Sequence, residues 1–292
     1  VPTPPLVQTV RRRRLGSALR GFRNACGMSI DSAAAAMRWN VSKLSRIENA
    51  KAHLPIKDVA LLLRQYDVTD PDVIAALEAL SKDANKTGWW STYGDVPGAS
   101  YKDYIGLEDD AESTHTYTPG LIPGLLQIGQ YAREIIAGTA ITRTPDEVSA
   151  LVEVRKKRQA ILTDTTRPTG PLKFWAVIHE SALHYRSAAV PTLMRDQLRH
   201  LLDLTDLTNI NIQVMPILAT PHPGMVGPFH VVRFPQPWPT VINVENIRGG
   251  SFAEGTEDVK VYEAAFERIQ AAALPVEDSR EKIKQIMEDS TA

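Results

Sequence analysis

The chain has 292 residues, 43% of them hydrophobic, and a formal net charge of −1. That length predicts about two domains, the ordinary hydrophobic content argues against disorder over most of the chain, and no apolar run approaches the ~20 residues of a membrane span. The single cysteine, Cys26, excludes an internal disulfide and a cysteine-rich zinc site and fits a reducing cytoplasm.

The near-zero total hides an asymmetry. Residues 1–70 carry twelve Lys and Arg against five Asp and Glu, a net of +7, which leaves −8 for the rest. A basic first quarter on an acidic remainder suits a DNA-binding head on a body that should not bind DNA.

In chain order, the opening VPTPPLVQT has prolines and no apolar core, so no secretory signal is read there. Residues 1–8 are expected to be a disordered tail. A first helix is predicted over about 9–26, with Leu15, Leu19 and Phe22 on one face. Its start holds the run Arg11, Arg12, Arg13 and Arg14, which either lies along phosphates, reaches into a minor groove as an arm, or is a solvated helix start. A second helix runs from Ser29 to Met37, capped by Ser29, with Ile30, Ala33, Ala34 and Met37 as its apolar stripe.

The third helix follows an Asn40 cap. Val41, Leu44 and Ile47 share one face. Ser42, Arg46 and Asn49 fall on the opposite side, with Lys43 and Ser45 on its flanks. One face thus anchors the helix, and the other carries groups able to reach base edges and phosphates. That is the arrangement by which a helix-turn-helix places one helix in a DNA major groove. Glu48 lies at the edge of the buried face, where a carboxylate needs a partner. A fourth helix to about Tyr66 and a fifth over 71–85 complete the domain, expected to end at 86.

On LRGFRNACGMS at 19–29 and SKLSRIEN at 42–49, the region from about Val10 to Val68 resembles the lambda-repressor-like (XRE) helix-turn-helix family. The resemblance implies a pair between Arg23 and Glu48 tying the first helix to the third. It implies base reading by Val41, Ser42 and Arg46, with Asn40 and Lys43 near phosphates. Departures are Ile30 where the family often has Gln, and Arg38 and Ala50 where it often has Gly. A left-handed Arg38 would be strained by roughly 1 kcal/mol.

From residue 87 onward the pattern is mixed. Helices are predicted at about 101–114, 125–137, 145–163, 191–206, 256–273 and 277–289, and strands at 172–178, 210–215, 229–234 and 240–245. Thr144, Pro145 and Glu147 form a full helix-start signal. Four strands among six helices predict an α+β domain with one small, mainly antiparallel sheet. The aromatics Trp89, Trp90, Tyr93, Tyr101 and Tyr104 either line a ligand pocket or cement an inter-domain joint.

A second resemblance, carried by YIGLEDDA at 104–111, YTPGLIPGLLQIGQYAR at 117–133, RKKRQAIL at 155–162 and HESALHYR at 179–186, covers about Gly88 to the C-terminus. This part is similar to the C-terminal domain of actinobacterial antitoxin-like, WhiJ-type regulators. These are encoded beside small acidic partner proteins, and the resemblance implies no enzyme activity. The sequence itself assembles no nucleophile–base set, phosphate loop or metal site, so neither catalysis nor a cofactor is expected. His179 and His184 stand at i, i+5, whereas a zinc-binding helix needs i, i+4.

The expectation is a cytoplasmic, nucleoid-associated transcription regulator that binds double-stranded DNA, a palindromic operator, as a homodimer. Its second domain, 87–292, would pair two copies and receive a small acidic partner protein or a small-molecule ligand. The alternative is an antitoxin-like protein whose main task is sequestering that partner, with DNA binding for autoregulation.

Overall fold

The computed structural model describes residues 10–83, 88–139, 142–236, 238–247 and 249–289. The expected tail at 1–8 and the expected boundary at 86/87 lie outside them. Two compact units are present. The first is 1–89 together with Phe234–Pro239, and the second is Trp90–Arg233 with Thr240–Ala292.

In the first unit the described residues form five helices: α1 (Val10–Ala25), α2 (Ile30–Ala36), α3 (Val41–Glu48), α4 (Ile56–Gln65) and α5 (Pro71–Asp83). Their apolar stripes meet in one core of Leu15, Leu19, Ala33, Ala34, Leu44, Ile47, Leu54, Val59, Leu62, Leu63 and Leu77, with Trp238 packed against it. Ser29 and Asn40 accept the backbone N–H of Ser32 and Lys43 at the starts of α2 and α3. The approach of α1 to α3 depends on Gly16. A Cβ there would stand 2.6 Å from the Glu48 carbonyl oxygen.

The second unit contains α6 (Ala99–Asp110), β1 (Ser113–Thr118), α7 (Gly129–Thr139), α8 (Pro145–Arg158), β2 (Lys173–His179), α9 (Leu193–Leu204), β3 (Ile210–Met215), β4 (Phe229–Arg233), β5 (Val241–Asn246), β6 (Gly249–Ala253), α10 (Thr256–Ala272) and α11 (Val276–Asp289). The capping box of Thr144 and Glu147 starts α8, with Pro145 inside it.

The sheet corrects the expected small antiparallel one. It has six strands in the order β3-β2-β1-β4-β5-β6. β1 and β2 pair in parallel, as do β2 and β3, while β1–β4, β4–β5 and β5–β6 are antiparallel. The parallel half follows from the helices α7, α8 and α9, which fill the β1–β2 and β2–β3 connections and return the chain to the same edge. The two unexpected strands are β1, STHTYT, and β6, GGSFA.

Side chains alternate across this sheet. Tyr117, Val177, Met215, Phe229, Val231 and Ile242 form a core with Phe266 and Ile269 of α10. On the other face of β1, Thr114, Thr116 and Thr118 are buried, and Thr116 hydrogen-bonds His230 of β4 at 2.6 Å.

Candidate nucleic-acid interface

The third helix is held from beneath. Leu44 and Ile47 are buried, and Glu48 accepts two hydrogen bonds from Arg23, at 2.7 and 2.9 Å. A third N–H of Arg23 donates to the Met28 carbonyl at 2.9 Å, so one guanidinium joins α1, the loop into α2, and α3. The Glu48 hydrogen bond raises the Arg23 pKa against the opposing effect of burial. Tyr66 is buried beside this pair, and burial pushes its phenol pKa up.

The outer face of α3 carries Val41, Ser42 and Arg46, all exposed. Among the described residues neither Ser42 nor Arg46 makes a side-chain hydrogen bond within the chain. Val41 departs from its expected place on the anchoring face. It is 39% exposed because it is the first residue of α3 and overhangs the core that Leu44 and Ile47 enter. An apolar side chain at that end can meet a thymine methyl.

The remaining polar groups are already engaged. Asn40 caps the helix through its side-chain oxygen. The Lys43 ammonium lies 3.6 Å from the centre of the Trp39 ring. The Asn49 amide donates to the Ser45 carbonyl at 2.8 Å and accepts from Arg20 at 2.8 Å. Ser45 is half-buried. Trp39 and Arg20 were not singled out by sequence reasoning. Their roles depend on contacts across the turn and between helices, which no spacing rule reveals.

The turns on either side of α3 are left-handed at non-glycine residues. Arg38 has φ 54° and Ala50 φ 58°. The first turn is closed by Trp39 N–H on the Ala34 carbonyl at 2.8 Å and Arg38 N–H on Ala35 at 2.9 Å. These bonds hold the geometry in which the family usually uses glycine.

The arginine run is not an extended arm. α1 begins at Val10, Arg12 and Arg14 are buried, and Arg11 and Arg13 are half-buried. Arg14 lies one turn before Ala18 and next to Leu15 on the buried side of the helix. Its guanidinium stacks 3.5 Å from the centre of the Phe234 ring and 5.4 Å from that of Trp238.

In the second unit two of the singled-out aromatics, Tyr101 and Tyr104, lie against a buried ion pair. Arg158 of α8 meets Glu108 of α6 at 2.7 Å, with both side chains buried. Arg158 also donates to the Tyr101 hydroxyl at 2.9 Å and lies 5.4 Å from the ring centres of Tyr101 and Tyr104. Burial opposes the Arg158 charge, but Glu108 and the two phenols outweigh it and hold the guanidinium protonated. His230 sits 5.1 Å from Tyr104, ring to ring, and 3.3 Å from the Glu245 carboxylate. Trp90 packs on Gly106, and Tyr93 lies 5.2 Å from the Lys157 ammonium. Trp89 falls in the first unit.

His179 caps a short 3-10 turn, Glu180–His184, while His184 is half-exposed. Among the described residues no group of three or more His, Cys, Asp or Glu is placed to hold a metal ion, and no helix is long and apolar enough to cross a membrane.

Comparison with known families agrees with this division. Residues 14–77, which span α1 to α5, match a helix-turn-helix domain. No curated protein and no solved structure matches the chain. Residues 101–285 match the family described as a domain of unknown function, DUF5753; this covers more than half of the 292 residues, and the chain belongs to that family, with a helix-turn-helix domain ahead of it.

Proposed function

We propose that the protein is a sequence-specific DNA-binding transcription regulator that reads an operator half-site with α3, two copies acting on a palindromic site. The observation that carries this is the outer face of α3. Val41, Ser42 and Arg46 stand exposed above a helix anchored by Leu44, Ile47 and the Arg23–Glu48 pair. Arg46 can donate two hydrogen bonds to guanine, Ser42 can bond either kind of base edge, and Lys43 is placed beside them for a phosphate. In this reading the DUF5753 part supplies the pairing contact and receives the controlling input, a small partner protein or a ligand, as its resemblance to antitoxin-like, WhiJ-type regulators implies.

Selection from randomised double-stranded DNA with the full-length protein tests the proposal. Enrichment of an inverted repeat with half-sites about one helical turn apart is expected. A selected pool as random as the starting one would remove the regulator reading.

A further inference from the structure

The β3–β4 loop exposes an unusual amount of apolar side chain. Leu218 and Val226 are each 94% exposed, Met225 71% and Ile217 55%. The loop is nonetheless fixed from beneath. Gly224 lies so close to Tyr117 that a Cβ would stand 2.5 Å from the ring, His222 meets the same ring edge-on at 5.7 Å, and Ala219 packs into the α10-side core. Turn bonds join Ala219 to Pro216, Met225 to His222 and Gly227 to Gly224. Prolines 216, 221, 223 and 228 restrict the chain further. Gly224 and His222 therefore face inward on Tyr117, while Ile217, Leu218, Met225 and Val226 stand outward on a loop whose backbone is fixed. The turn Pro223–Val226 also rests on α10, which itself exposes Val261.

We propose that this loop, through Ile217, Leu218, Met225 and Val226, is the surface on which two copies of the chain pair. The inference rests on the two-copy operator reading above and places its contact. Two features favour a second copy. From Pro216 to Val232 there is no Asp, Glu, Lys or Arg, and the Glu180 carboxylate that accepts the Ile217 N–H is itself paired with Lys282 at 2.7 Å, so the loop offers no unbalanced charge to an acidic partner or to nucleic acid. A neutral patch is also where two acidic bodies approach each other with least repulsion. The four side chains present on the order of 500 Å² per chain, so face-to-face pairing buries about 1,000 Å², where specific interfaces begin. The fixed loop loses little conformational freedom on docking.

Sedimentation of the full-length protein tests this, with Leu218→Asp/Val226→Asp as the variant and Leu61→Asp as the control. Leu61 is also an exposed apolar side chain, 50% exposed, but belongs to α4 of the helical unit. Wild type and control are expected to be dimers. The double variant should dissociate at least about 30-fold more readily, with its circular dichroism unchanged and its melting altered only by losing the concentration dependence that pairing gives the wild type. It should keep half-site affinity and lose the added affinity for the palindrome.

A variant that stays dimeric overturns the loop assignment while leaving operator reading intact. A monomeric wild type that copurifies with a stoichiometric smaller protein, lost in the variant, also overturns it, because the loop then belongs to another partner. A wild-type dimer that the variant breaks, but that selects no DNA sequence, supports the pairing surface and removes the operator reading instead.

Discussion

Arg23 reaches Glu48 through two parallel hydrogen bonds, and both side chains are withdrawn from water, 11% and 2% exposed. The pair is 25 residues apart in sequence and fixes how α3 sits on α1. Removing one partner leaves a buried charge alone, at a cost of about 3–5 kcal/mol. Glu48→Ala is therefore expected to melt the helical unit well below the wild-type temperature while the sheet unit keeps its own transition. Scanning calorimetry with two resolved transitions reads this. Additive losses for Arg23→Ala and Glu48→Ala in the double variant would show that the two residues do not interact.

The exposed face of α3 separates base reading from phosphate contact. Arg46→Ala is expected to lose roughly 1–3 kcal/mol on the selected operator and to relax preference at one base pair. Lys43→Ala should weaken selected and random DNA alike and lower the salt slope by about 1. Titrations across a salt series on both DNAs distinguish them. An Arg46→Ala protein equally weakened on both would remove Arg46 from base reading.

Much of the helical unit was legible in sequence because its signals are local. Caps at Ser29 and Asn40 and apolar stripes at helical spacing set each element within a few residues. The sheet was less legible for physical reasons. β1 has Thr114, Thr116 and Thr118 on one face and His115 and Tyr117 on the other, so neither reads as an apolar strand. Its parallel partner β2 lies 60 residues away, and no local pattern encodes that pairing. The inclusion of Phe234–Pro239 in the helical unit, covering Arg14, is a contact over 220 residues that periodicity cannot show. In the candidate site, the opposed faces of α3 were readable, while the engagement of Asn49 by Arg20 and of Lys43 by Trp39 depended on folded geometry.

Arg38 gives a backbone test. Its φ of 54° costs an L-residue about 1–2 kcal/mol, and glycine's extra freedom in the unfolded chain returns part of that. Arg38→Gly is expected to stabilise the helical unit by about 0.5–1 kcal/mol, raising its melting temperature by a few degrees. An unchanged or lowered transition would mean that the Arg38 side chain contributes as much as its backbone strain removes.

The Glu108–Arg158 pair is a second buried charge contact, with a different expected outcome on full replacement. Arg158→Met or Glu108→Leu alone should destabilise the sheet unit by about 3–5 kcal/mol, while the two together should recover most of the loss. Chemical denaturation of the four proteins in a cycle measures the recovery. A double variant no more stable than the worse single one would show that Tyr101, His230 and Glu245 depend on the pair for their own placement.

His115 makes stability depend on pH. Burial and the neighbouring Arg233 guanidinium push its pKa down from 6.5 to about 4. Arg233 donates a hydrogen bond of 2.9 Å to Nδ1, so the folded protein uses the neutral ring as an acceptor. The unfolded chain takes up a proton at this residue near pH 6.5, whereas the folded protein takes it up only near 4. Stability is therefore full above pH 6.5 and is lost as pH falls through that window, by on the order of 2–3 kcal/mol. His200 and His222, both lowered by burial, act in the same direction. His115→Gln keeps an acceptor for Arg233 and has no proton to gain. Denaturation at pH 7 and pH 5 should show a smaller loss for the variant than for wild type, and equal losses would assign the acid sensitivity to other groups.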